Sequence, residues 1–133
     1  SGGSAEVFSK LAYEPGELLI SGERVFWTEV DTALVSGPNV DRGVVKSMPV
    51  ESGPAITYTN VHEIISRVSV SENDVYWLVS NNDTSRLEWC PVSGCQGKPT
   101  IIAEVPGAED LVVDKEYVRV MMYQEELRSF PRW

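Results

Sequence analysis

No segment of useful length repeats its apolar residues at the i, i+3, i+4, i+7 spacing of an amphipathic helix. Short runs rich in Val, Ile, Tyr, Phe and Trp recur instead: Leu18–Ile20, Val25–Val30, Gly43–Pro49, Ala55–Tyr58, Arg67–Val70, Val75–Ser80, Leu87–Cys90, Thr100–Val105, Leu111–Val113 and Tyr117–Tyr123. Turn formers separate them, among them Ser21-Gly22, Ser36-Gly37-Pro38-Asn39, Ser52-Gly53-Pro54, Asn81-Asn82-Asp83 and Pro106-Gly107. Such turns reverse the chain tightly, so the pattern predicts an all-β, antiparallel protein.

The runs repeat. Setting Ser21 on Ser71 places Val25-Phe26-Trp27 on Val75-Tyr76-Trp77 without a gap, and a weaker third copy sets Asp114 on Ser71 and Val118 on Val75. A second anchor follows each copy, with Val45–Val50 matching Leu87–Val92 and Leu127–Arg132, proline in the fifth place. A period of about 40–50 residues with four short strands is the mark of β-propeller blades. The chain then divides into a flexible segment, 1–6, and a single repeat domain, 7–133, with units at about 17–64, 65–110 and 111–133. In the second unit Arg67–Val70 would be the innermost strand and Thr100–Val105 the outermost. Inner strands, covered on both faces, are expected to be uniformly apolar, and Phe26-Trp27 and Tyr76-Trp77 to fill the wedges between blades.

The sequence Ser71-x-x-x-Val75-Tyr76-Trp77, a strand ending at Pro91, and then Pro99-Thr100-Ile101-Ile102-Ala103 resemble the YWTD-like and NHL-like propeller repeats. The turn Cys90-Pro91-Val92-Ser93-Gly94-Cys95 resembles one carried by exported propellers of myxobacteria. The resemblance implies a disc of blades with binding surfaces at the ends of its axis and an exported location. It brings no catalytic residues with it.

Length complicates this picture. The chain has 133 residues, while a closed propeller uses about four to eight blades. Two full units, most of a third and an outer-strand-like lead at Val7–Tyr13 would leave the apolar faces of the end blades open to water. Either the remaining blades belong to a longer chain, or copies assemble as a homo-oligomer, or the units pack as a compact antiparallel β-sandwich. The lead could also supply the missing outer strand of the third unit.

Charge narrows the partners. With 11 Lys and Arg against 20 Asp and Glu the net charge is −9, which repels phosphate backbones and argues against nucleic acid. No run approaches the roughly 18 apolar residues of a spanning helix. Ser1-Gly2-Gly3-Ser4 is a linker, left either from expression or fusion, or from a cleavage or lipid-attachment site that tethered an exported domain to a membrane. Cys90 and Cys95 can close a local disulfide, worth about 2 kcal/mol for so small a loop, or stay as two thiols. The bridge would indicate an oxidising compartment.

Reactive chemistry is sparse. Nucleophilic catalysis needs a base beside its nucleophile, and His62 is the sole histidine, placed between units. No elbow, phosphate-binding or zinc-protease motif occurs, and neither a metal nor a cofactor is expected. Glu29, Asp31 and Asp83 could supply paired carboxylates for glycoside hydrolysis, but so acidic a chain gathers carboxylates by composition alone. The loops 31–41 and 81–83 fall at corresponding turns of the first two units. Loops on a rigid scaffold are where binding residues concentrate. They make Asp31, Asn39, Asp41, Asn81, Asn82 and Asp83 the candidate contacts for a protein or glycan ligand. The sequence thus predicts an exported propeller-like binding or scaffolding module, not an enzyme; the alternative is a fragment of a hydrolase or lyase whose active site needs absent blades.

Overall fold

The structure, a computed structural model, describes residues 7, 9–11, 13–31, 42–81, 84–123 and 126–132. Among these, eleven strands form three antiparallel sheets, and no helix occurs. The first sheet is β1 (Glu14–Ser21), β2 (Arg24–Asp31), β3 (Arg42–Pro49) and β4 (Ile56–Val61), in that order. The second is β5 (Ile64–Ser71), β6 (Asp74–Asn81), β7 (Thr84–Pro91) and β8 (Thr100–Glu104), again in chain order. The third holds β9 (Ala108–Val113), β10 (Tyr117–Met122) and β11 (Glu126–Pro131). Each sheet is an up-and-down meander, as a propeller blade requires.

The repeat extends to irregularities of pairing. The first and second strands slip register between Pro15 and Leu18 in one sheet and between Ile65 and Arg67 in the next. The third and fourth slip between Val45 and Lys46, and between Leu87 and Glu88. Both first hairpins turn through a left-handed residue at the same place, Gly22 at φ 60° and Glu72 at φ 54°. Glycine takes that conformation freely, whereas a residue with a Cβ is held there at a cost.

Adjacent sheets pack face to face. Phe26, Val45 and Tyr58 of the first sheet meet Ile65, Val68, Val75, Trp77 and Cys90 of the second. Tyr76, Leu78 and Leu87, on the other face of the second sheet, meet Leu111, Val118, Val120 and Met122 of the third. Both aromatic pairs are buried, Phe26 and Trp27 as well as Tyr76 and Trp77. Within the second sheet the strand buried on both faces is β6, not the innermost β5. The expectation of uniformly apolar inner strands is therefore corrected. An inner strand runs along the axis with small residues such as Ser66 and Ser69, while the second strand of the middle sheet has another sheet packed on either face.

Close approach fixes the first junction. A Cβ on Gly43 of β3 would fall 2.6 Å from Ile65 Cγ1 and 2.8 Å from Ile65 N, so only glycine lets β3 lie against the start of β5. Polar bonds cross both junctions. Glu17 Oε1 accepts the Val68 amide at 3.0 Å, and Arg67 Nε lies 3.6 Å from Asp110 Oδ1. The chain end is tied back by Arg132, which donates to Tyr76 Oη at 3.2 Å, Ser71 Oγ at 3.1 Å and Asp74 Oδ2 at 3.0 Å. The described residues of the lead, Val7, Ser9, Lys10, Leu11 and Tyr13, carry no strand; β11 has β10 alone as a neighbour among the described residues. Leu11 lies instead beside Trp27, lining with Pro15, Gly16 and Leu18 a cleft of about 190 Å³.

Candidate functional site at the linker rim

Alternation of strand direction sorts every connection onto one of two rims. The blade-to-blade links, 61–64 and 104–108, share one rim with the starts of β3, β7 and β11. The opposite rim holds the turns at Gly22 and Glu72 and the Cys90–Cys95 disulfide, whose Cα atoms are 5.5 Å apart.

The two candidate loops leave from the linker rim. Asp31 pairs with Arg42 where β2 and β3 end, and Asn81 pairs with Thr84 where β6 and β7 end. Since β2 and β6 hold the same second place in their sheets, their ends at Asp31 and Asn81 fall on the same rim. Asp31 belongs to the strand rather than to the loop and is largely buried. Asn81 closes β6. Asn39, Asp41, Asn82 and Asp83 lie outside the described residues.

Beside these positions stand groups that sequence reasoning missed. Arg42 Nη1 donates to Asn60 Oδ1 at 2.6 Å, Arg42 Nη2 lies 3.2–3.3 Å from both ring nitrogens of His62, and the Tyr13 ring sits 5.8 Å from the guanidinium. Arg42, Asn60, His62 and Tyr13 form a polar ledge on the first blade. On the second, Arg86 donates from Nη1 and Nη2 to the two Glu63 oxygens at 2.8 and 2.7 Å, a bidentate fork, and from Nε to Glu88. These bonds, those from Glu63 above all, push the Arg86 guanidinium further above its ordinary pKa, so it is cationic at every working pH. The register would have pointed to both arginines, because Arg42 faces Asp31 and Arg86 stands two residues before a buried glutamate.

Below the ledge each of the first two blades buries a carboxylate against its tryptophan. Trp27 Nε1 donates to Glu29 Oε2 at 2.8 Å, with Lys46 Nζ at 3.3 Å from the same oxygen, and Tyr13 N reaches Glu29 Oε1 at 3.2 Å. Trp77 Nε1 donates to Glu88 Oε1 at 3.1 Å. Buried charges persist only when paired and hydrogen-bonded. Glu29 therefore has a structural duty: its oxygens are engaged from within the blade. No group of three or more His, Cys, Asp or Glu side chains suited to a metal comes together among the described residues.

No family model matches the chain, and no curated protein matches it. Among solved structures it is similar to the β-propeller domain of the Trilobed protease from Pyrococcus furiosus, described as having an open velcro topology, with a TM-score of 0.63 and 12% identity. The three sheets are blades of a β-propeller-like fold. The match takes in 93% of this chain and 44% of that one, so the chain spans less than half the length of the structure it matches. At that identity the likeness is one of fold.

Proposed function

We propose that this chain is a propeller-type binding or scaffolding module, exported from the cell, that meets a protein or glycan partner through its linker rim. The observation carrying this reading is the emergence of two acidic and amide-rich loops from matching hairpin ends of adjacent blades, next to the exposed ledge of Arg42, Asn60 and His62. A rim of carboxylates and amides beside the Arg42 guanidinium suits a ligand rich in hydroxyl or amide groups, which both donate and accept. Asp31, Asn39, Asp41, Asn81, Asn82 and Asp83 are the contact positions in this reading. The Ser71–Trp77 pattern supports grouping the blades with the YWTD-like and NHL-like repeats. The disulfide supports an oxidising compartment, and mass spectrometry after alkylation of protein from its native source should find no free thiol.

The test is a glycan and peptide array probed with the wild-type chain, with a linker-rim variant, Asp83→Ala combined with Arg42→Ala, and with an opposite-rim variant, Glu72→Ala. Binding lost in the first variant and kept in the second is the expected result. Equal binding by all three would overturn the rim assignment, and turnover of any arrayed glycan would overturn the assignment as a non-enzymatic module.

A further inference from the structure

The linker rim holds a second concave place, at the third blade. Pro106 and Gly107 of the link into β9, Met122 and Tyr123 at the end of β10, and Glu126 and Arg128 of β11 line a cleft of about 270 Å³. Its parts are fixed by the backbone. Tyr123 N donates to Gly107 O at 2.7 Å. Gly107 has φ 71°, and a Cβ there would lie 3.0 Å from Tyr123 Cβ, so a glycine at this turn lets the two segments close on each other. Tyr123 is thus anchored at its root while 72% exposed. Cross-strand pairing of Glu126 with Met122 and of Arg128 with Val120 puts both charged side chains on the face whose floor is the buried Met122. There they bind each other, Arg128 donating from Nε to Glu126 Oε1 at 3.1 Å and from Nη2 to Oε2 at 3.4 Å, and both stay about half exposed.

We propose that this cleft is a subsite for an uncharged sugar residue of a glycan, with the Tyr123 ring against the apolar face of the sugar and Glu126 and Arg128 on its hydroxyls. Charge selects the ligand. Carboxylate and guanidinium neutralise each other, so a charged ligand would have to break their pair, and the net charge of −9 repels acidic sugars. The pair still leaves lone pairs on Glu126 and N–H groups on Arg128 unspent, side by side. A hydroxyl group donates and accepts at one atom and can serve both; a peptide bond carries its donor and acceptor on opposite sides of the chain and cannot. A tyrosine, apolar in its body and polar at its tip, suits a ring of the same make, and a rigid sugar ring loses little freedom on docking. Small-molecule pockets begin at about 300 Å³, so a cleft of this size takes one sugar ring rather than several. The inference deepens the linker-rim reading and rests on it only in taking this rim as the ligand-bearing one.

An array of neutral oligosaccharides of glucose, galactose, mannose and N-acetylglucosamine, with uronate-bearing and sulfated counterparts and a set of peptides, tests this, followed by calorimetric titration of the best binder. The wild-type chain should bind a neutral oligosaccharide, with an affinity that changes by less than about twofold between about 0.05 and about 0.5 M salt. Tyr123→Ala and Arg128→Ala should each weaken that binding by about tenfold or more, whereas Tyr123→Phe, which keeps the ring, should weaken it by less than about threefold. These variants alter exposed side chains and should keep the wild-type circular dichroism spectrum; Glu126→Ala carries the same expectation as Arg128→Ala should either alanine variant misfold. Binding of acidic glycans or peptides alone, no binding of any neutral glycan, or full binding by Tyr123→Ala would overturn the proposal. The variant Asp83→Ala combined with Arg42→Ala separates the two readings. Binding lost there but kept by Tyr123→Ala would remove the third-blade subsite and leave the contacts of the first two blades standing; the reverse would support the subsite and remove those contacts.

Discussion

Opening the Cys90–Cys95 bridge by Cys95→Ser should weaken the domain by an amount the structure allows to be worked out. The bridge closes a separation of five residues, and for a loop of about six the chain-entropy relation gives roughly 7 cal/mol/K, or about 2.2 kcal/mol at 25 °C. Unfolding entropy of about 2.1 cal/mol/K per residue over 133 residues converts this into a fall in Tm of about 8 °C. A second term is local. The bridged turn presents the Val92 carbonyl to Tyr58 Oη at 2.6 Å, and Ser47 Oγ lies 2.7 Å from the same hydroxyl. Tyr58 is fully buried, so in the intact protein Tyr58→Phe should cost about 1–2 kcal/mol by leaving Val92 without its donor. Once the turn is released, Val92 can turn to water and the same substitution should cost less, with a coupling of at least about 0.5 kcal/mol. Thermal and urea unfolding of the four chains of this cycle, at one fixed protein concentration, measures both terms. Strict additivity together with a Tm loss under about 2 °C would show that the bridge neither restrains the unfolded chain nor positions Val92.

Gly43→Ala should destabilise by about 1–3 kcal/mol, since its methyl group drives into the start of β5, and urea midpoints at unchanged m would check it; an unaffected midpoint would mean the first junction is looser than described. Arg132→Lys should lose the fork to Tyr76, Ser71 and Asp74 and speed amide exchange throughout β9, β10 and β11 while leaving β1–β4 unaltered; uniform exchange across the three sheets would refute that anchoring role. Asp114 accepts the Glu116 and Tyr117 amides, both at 2.8 Å, and pairs with Arg119, which lowers its pKa from 3.8 to about 2. A carboxylate depressed on folding contributes stability above its unfolded pKa and loses it as pH falls through the folded one. Asp114→Asn should therefore flatten the fall in Tm between about pH 4 and pH 2, and identical acid limbs would exclude Asp114 as a source of that fall. Glu72→Gly relieves a left-handed φ and should match or exceed wild-type stability, whereas Gly22→Ala at the equivalent turn should lose about 1 kcal/mol.

The strands and their order were legible because the repeat places the same anchors, Val-aromatic-Trp and a strand-ending proline, at regular intervals. Phe26, Tyr76 and Trp77 could be assigned to the blade wedges for the same reason, whereas Trp27, on the far face of the first sheet, lies beside Leu11 of the lead instead. What the pattern misjudged was depth: Ser66 and Ser69 show that an axial strand need not be apolar, because hydropathy along a strand reports how many blades cover it rather than its place in the sheet. The rim was legible only as turn composition. Arg42 and Arg86 act through partners about 20 residues away, Asn60, His62 and Glu63, and such pairings follow from register across sheets, which one-dimensional periodicity does not contain.

The two buried indole–carboxylate pairs are wired differently, and this limits how the blades can be recombined. In the first blade the acceptor Glu29 sits on the tryptophan's own strand, with Lys46 across from the ring; in the second the acceptor Glu88 lies across from it, with Arg86 nearby. Joining β2 to a copy of β7 would crowd two carboxylates around one indole. The reciprocal chimera, β6 beside a copy of β3, would set the Trp77 N–H against the Lys46 ammonium with no acceptor for either. Shuffling by single strands is thus blocked by buried charge, and the smallest portable piece of this protein is the hairpin of second and third strands moved together.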